Sequence, residues 1–381
     1  IMTVNIGNIQ QRVTKIGGRK HYPWLDLIRF IAAFAVMAGH YRGAFLPEYS
    51  DIPPEQRNIS IFLFYTITHF PAEAVLLFFV LSGFLVGGKV IERCNARNFD
   101  TLSYTIDRFV RIMLPLVSAL ILSVVIDAIR GVEIIPGRVI GNLFSLQGIW
   151  CNSQVEVLWS LSYEVWFYIL AGCAGFLIMQ KRGSRTKTTG YILLGLSLLV
   201  FTKLDTHYLI IWILGAIAFV TVPATRKRYR LWLYGLFAVI ALFMLQLNFQ
   251  GNYSLAMTKY LPTDNRAALS VIFGLVACLF VQNIILYEPK KKFAIGINKA
   301  GTWLAAFSYT LYLVHVPLMR LMEYLGATRA TVFSTGTIAA YFGYMLAGMF
   351  GSYCIYLLFE KHTAAVKKFI RKGIGQKQQA G

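Results

Sequence analysis

The sequence predicts an all-α, polytopic membrane protein of about ten transmembrane helices with both termini in the cytoplasm, and three observations predict it. Of 381 residues 57% are hydrophobic and only 14% charged, with a mean hydropathy of +0.58, which is not the balance of a soluble core. Apolar runs of roughly twenty residues, the length that crosses a bilayer, recur at 24–45, 61–87, 112–129, 157–180, 190–204, 206–223, 231–247, 266–287, 302–320 and 331–358. With the N-terminus inside, the inner segments hold 27 Lys and Arg and the outer ones 9, the asymmetry of the positive-inside rule. The net charge of +20 is therefore a topology signal, spread over short loops, and not a nucleic-acid face.

Three parts follow: a basic cytoplasmic segment 1–23, a membrane domain 24–358, and a basic cytoplasmic tail 359–381. The first apolar helix is long and carries a histidine, which argues against a cleaved leader.

That first segment, Trp24 to Phe45, holds Asp26, Arg29 and His40. At 100° per residue His40 lies within about 20° of Arg29 and roughly 16 Å further along the axis, so both look out of one stripe. An ionisable group near mid-bilayer costs roughly 2.5–3.5 kcal/mol, so such groups face the protein interior. Asp26 and Arg29 are spaced to pair at the helix entrance, whereas His40 falls in the outer leaflet.

In the second segment Gly83 and Gly87 form a small-xxx-small face that invites a close helix neighbour. Glu73, near its outer end, is placed to pair with Arg57 or to line a cavity. The next run opens TLSYTIDRFVRIMLPL. Arg108 and Arg111 share a face, Asp107 is spaced to pair with Arg111, and Pro115 is placed to kink the helix. Two readings of the arginine pair stand side by side: anchoring in the interface, or a phosphate clamp to which Arg29 adds a third guanidinium. Residues 139–149 are too short to span and read as an interfacial or re-entrant piece.

The fourth crossing, LWSLSYEVWFY, repeats Ser160, Glu164 and Tyr168 every fourth residue. A carboxylate at that depth needs a partner, and an outer-leaflet histidine such as His40 is the natural one. The ninth, FSYTLYLVHVP, puts Ser308, Tyr312 and His315 on one face. Together with Glu73 and Tyr168 these residues predict a polar, outward-facing substrate cavity. The five cysteines are scattered without a metal or disulfide pattern, so no metal site is expected.

Five motifs in order, LDLIRFIAAFAVMAGH, FFVLSGFLV, the Arg108/Arg111 pair before IMLP, LWSLSYEVWFY and FSYTLYLVHVP, resemble the acyltransferase-3 family of membrane O-acyltransferases over residues 24–320. The resemblance departs at Leu27, where the family often has Gly, and around Glu73. It implies transfer of an acyl group, usually acetyl, from cytoplasmic acetyl-CoA to a hydroxyl of an envelope or exported glycan such as lipopolysaccharide. It also implies essential roles for Arg29, His40, Arg108 and Arg111, and a bacterial inner-membrane location. On that basis the three arginines bind the CoA phosphates, His40 is the general base and Glu164 orients its imidazole; acyl-CoA is a donor substrate and no resident cofactor is needed. Acceptor specificity is expected in the outward loops 46–60, 130–156 and 248–265. The alternative is a transporter or flippase, which also buries charge near mid-membrane; a receptor or scaffold would have no use for the buried Arg and His.

Overall fold

A computed structural model describes residues 22–181, 184–221, 227–249, 266–287, 289 and 291–379. Most of the basic segment 1–23 and of the loop 248–265 lies outside the described residues. The described chain is helical from end to end: α1 (Pro23–Phe45), α2 (Ile59–Ile67), α3 (Pro71–Ser82), a π turn (Gly83–Gly87), α4 (Gly88–Asn95), α5 (Thr101–Ile129), α6 (Pro136–Leu143), α7 (Leu158–Met179), α8 (Arg185–Val200), α9 (Thr206–Val220), α10 (Lys227–Phe249), α11 (Arg266–Ile284), α12 (Lys292–Ala305), α13 (Ser308–Tyr324), α14 (Thr335–Leu358) and α15 (Thr363–Gln379).

Six stretches of the described residues are long and apolar enough to cross a membrane, and a seventh is made if the bent pair α12–α13 counts as one. The expected number of ten is not reached, for two physical reasons. The runs at 190–204 and 206–223 form helices of 16 and 15 residues, and the run at 231–247 holds a described apolar stretch of similar length, Tyr229–Met244. The run at 302–320 is broken by a 56° bend between Ala305 and Ser308. Conversely, α5 begins at Thr101, eleven residues before the expected boundary, because the Asp100 carboxylate accepts from the backbone N–H of Leu102 and Ser103 and caps it.

Helix α1 is the hub, packed against α3, α12, α13 and α14. Ala33, Val36, Met37 and Tyr41 are at most 1% exposed, and the Tyr41 hydroxyl donates to the carbonyl of His315 on α13. On its far turn Arg42 is also buried, donating to Nδ1 of His69 at 2.6 Å.

The second span meets α9 at backbone distance. A Cβ on Gly83 would lie 2.0 Å from the Trp212 carbonyl oxygen, and one on Gly215 would lie 2.4 Å from that of Val80, so only glycine admits this crossing. The short segment after α5 does not span. Asn142 at the end of helix α6 and Ser145 and Gln147 in the loop after it are wholly buried, the Ser145 carbonyl accepting from Ser162 Oγ and Trp166 Nε1.

At one end of the bundle, α15 lies along the start of α5, where Lys367 and Arg371 flank Asp107 at 3.3 and 3.1 Å. Asp107 is therefore paired with the C-terminal helix and not, as its spacing suggests, with Arg111.

The crossing yields a direct expectation. Gly83→Leu should force α9 away from the second span and lower the thermal midpoint of the detergent-purified protein, by a destabilisation of about 1–3 kcal/mol typical of overpacking; an unchanged midpoint would refute the contact.

Candidate active site

A cavity of about 420 Å³ opens inside the bundle between α1, α3, α5, α7 and α13. Six cations line it, Arg29, Lys89, Arg93, Arg108, Arg111 and Lys367, against one carboxylate, Glu164. Its mouth lies at the end carrying the exposed Arg93 and the docked α15, and its head is closed by Ser160 and Tyr312, whose hydroxyls are 2.6 Å apart.

The arginines are held from behind. Arg29 Nη2 donates to Asp26 at 2.6 Å, the pairing expected at the entrance of α1. Arg111 sits 3.7 Å from Glu360 and over the Tyr309 ring, while Arg108 lies over the ring of Tyr168. Among the described residues no carboxylate pairs with Arg108, and its buried Nε, like that of Arg29, has no hydrogen-bond partner. Guanidinium groups concentrated in a partly dry cavity with donors unspent form a site for an anionic group.

Glu360 is a second anchor. It follows α14 directly, is 4% exposed, and accepts from both the backbone N–H and the hydroxyl of Thr310 at 3.2 and 2.6 Å. The first turn of α13 has N–H groups without helical partners, so this carboxylate caps the helix just after the bend while facing Arg111.

Ser160, Glu164 and Tyr168 all line the cavity, as do Ser308 and Tyr312. The predicted helix faces are thus present, but the polar cavity they share is the arginine cavity and not a separate outward one. Tyr168 donates to Glu164 through a short hydrogen bond and accepts from Ser82, which accepts from Trp212 Nε1. Glu164 does not orient His40: its carboxylate is engaged by Tyr168 on its own helix, one turn on. Glu73 is buried in the first turn of α3, outside the cavity lining, and the Arg57 guanidinium donates to the carbonyls of Ser50 and Ile52.

His40 meets His315. Nδ1 of His40 is 2.8 Å from Nε2 of His315, with the rings stacked at 5.1 Å, and Nδ1 of His315 is 3.1 Å from the Leu311 carbonyl. A carbonyl only accepts, so His315 donates from Nδ1 and its Nε2 accepts the proton of His40 Nδ1. The lone pair of His40 is thereby left on Nε2. Neither histidine lines the cavity; the His315 ring lies 6.2 Å from that of Tyr312, so the pair sits immediately behind the cavity head.

Beyond the pair, Arg320 bridges Glu156 at 2.9 Å and Asp127 at 3.6 Å. Burial pushes the Glu156 carboxyl upward, but the Arg320 hydrogen bond, the backbone and the nearby charges of Arg320 and His40 together hold it below the usual carboxylate range. Glu156, Glu360, Tyr309 and the lysines are site residues that sequence spacing did not reveal, because all but Lys89 join the site from loops, helix ends or the C-terminal segment.

These features define an all-helical integral membrane protein with a cation-lined site beside a pair of coupled imidazoles. A family model described as an acyltransferase domain matches residues 22–357, most of the chain, and the chain belongs to the acyltransferase-3 family. It is accordingly a membrane acyltransferase, an enzyme that takes its acyl group from a donor. No curated protein and no solved structure matches it.

The anchor at Glu360 makes a stability prediction. Glu360→Ala removes the cap of α13 and the partner of Arg111 together, a loss of about 1–3 kcal/mol for a buried hydrogen-bonded charge, and should lower the thermal midpoint. Glu360→Gln keeps an acceptor for Thr310 and should recover part of it; equal midpoints for the two variants would deny the capping role.

Proposed function

We propose that the protein transfers an acyl group, foremost acetyl, from cytoplasmic acyl-CoA to a hydroxyl of an envelope or exported glycan, in the inner membrane of a bacterium. The observation that carries this reading is the polarity of the cavity: six cations and one carboxylate, leading from an open mouth to a head that abuts the His40–His315 pair. CoA offers phosphates at one end and a thioester at the tip of a narrow arm, which matches a basic mouth and a small hydroxyl-lined head. The mouth faces the cytoplasm in this reading, in keeping with the basic inner segments.

In the reaction the acceptor hydroxyl gives its proton to Nε2 of His40 as its oxygen attacks the thioester carbonyl carbon. The C–S bond then breaks, and the thiolate takes up that proton to leave as CoA thiol. His315 holds the imidazole in the required tautomer by accepting from Nδ1, the role a carboxylate plays in a serine-protease triad. Glu156, whose charge acts on His40, steadies the imidazolium. Arg29, Arg108 and Arg111 bind donor phosphate, and Glu164 tethers Tyr168 beside the guanidinium groups. Tyr312 stands between cavity and imidazole, so the thioester reaches His40 once the Ser160–Tyr312 contact opens.

Purified protein with acetyl-CoA and an acceptor glycan should release free thiol in step with acceptor acetylation, which a transporter or flippase does not do. His40→Ala should lower that rate by about 10²–10⁴, the usual contribution of general-base catalysis, with acetyl-CoA affinity unchanged. Wild-type turnover in the variant would remove His40 from the role of base. Arg108→Ala should weaken acetyl-CoA binding instead, and unaltered affinity would return that arginine to interface anchoring.

A further inference from the structure

Beside the main cavity lies a second, smaller one of about 40 Å³, lined by Lys89, Arg93, Tyr104, Asp107 and Arg108 with apolar residues of α4 and the turn before it. A single water needs roughly 10–15 Å³ of such volume, so the alcove has room for the oxygens of one phosphoryl group. Lys89, Arg93 and Arg108 also line the main cavity, which makes the alcove a side chamber of its mouth.

Its charge is not self-contained. Among the described residues neither Lys89 nor Arg93 is in an ion pair, and Arg108 lacks a carboxylate as well. The single acidic lining residue, Asp107, is already matched by Lys367 and Arg371 from α15. Three cations therefore face a phosphoryl-sized space next to, but distinct from, the position where Arg29 and Arg111 gather deeper in the cavity.

We infer that the alcove is a second phosphate subsite, taking a phosphomonoester that branches from the donor nucleotide while the diphosphate lies at Arg29, Arg108 and Arg111. Resting on the acyl-CoA reading above, this assigns Lys89 and Arg93 to the 3′-phosphate and makes them determinants of donor specificity. Arg108, shared between the chambers, contacts both phosphate groups. The C-terminal helix contributes by neutralising Asp107, which would otherwise repel the ligand.

The test compares acetyl-CoA with acetyl-dephospho-CoA, which lacks only the 3′-phosphate, by equilibrium binding to the detergent-purified full chain. Wild type should bind acetyl-CoA at least about tenfold more tightly, the scale of one charge-assisted contact. Lys89→Gln and Arg93→Gln should each shrink that ratio severalfold while leaving the affinity for acetyl-dephospho-CoA close to wild type. Lys89 is half-buried and Arg93 exposed, so neither change disturbs the core, and the wild-type ligand comparison needs no variant. Equal wild-type affinity for the two donors would overturn the subsite yet leave the acyl-CoA reading standing. A wild-type preference that survives in both variants, or variants that weaken both donors alike, would also overturn it. Failure of wild type to bind either donor would remove the acyl-CoA reading and the subsite with it.

Discussion

The buried carboxylate of Glu360 is the contact on which the geometry of the site depends. It ties the start of α13 to the end of α14 through Thr310 and faces Arg111 of α5, so three segments distant in sequence are fixed by one residue. In an apolar surround an uncapped helix start and an isolated guanidinium are each unfavourable, and one carboxylate answers both. Because α13 carries Tyr312 and His315 while α5 carries Arg108 and Arg111, this contact also sets the distance from anion site to imidazole.

The same economy of polar groups runs through the bundle. Where helices approach at backbone distance, as at Gly83 and Gly215, there is no room for side chains and the contact is pure packing. Where side chains are polar they form short closed series: Trp212 to Ser82 to Tyr168 to Glu164, and His40 to His315 to the Leu311 carbonyl. The second series ends on a backbone carbonyl, which has no proton to give and so fixes the direction of the donors before it. Among the unspent buried donors are Nε of Arg29 and of Arg108, both on the cavity wall, and that is where an anionic ligand gains most.

Much of this was legible in the chain, and the parts that were not share a cause. Helical periodicity placed Ser160, Glu164 and Tyr168 on one face and Ser308 and Tyr312 on another, because those relations lie within single helices. It paired Asp26 with Arg29 for the same reason. Periodicity says nothing of which helices are neighbours, so Glu164 was matched to His40 when His315, on a helix 275 residues away, holds that position. Asp107 was matched to Arg111 although α15 brings it two cations of its own. The expected number of crossings was not confirmed, because hydropathy registers apolar length but not the bend before Ser308 or the shortness of α8 and α9. The family resemblance, carried by motifs inside single segments, held across residues 22–357.

The π turn at Gly83–Gly87 couples two distant demands on one helix. One extra residue per turn shifts everything downstream by about 100° relative to an uninterrupted α-helix. The turn itself presents Gly83 and Gly87 to α9, and the helix after it presents Gly88 to α9 and Lys89 and Arg93 to the basic mouth. Loss of a single residue there would rotate both cations off the cavity wall and turn Gly88 away from Phe219 of α9. The length of this segment and its glycines are therefore held by the same helix contact.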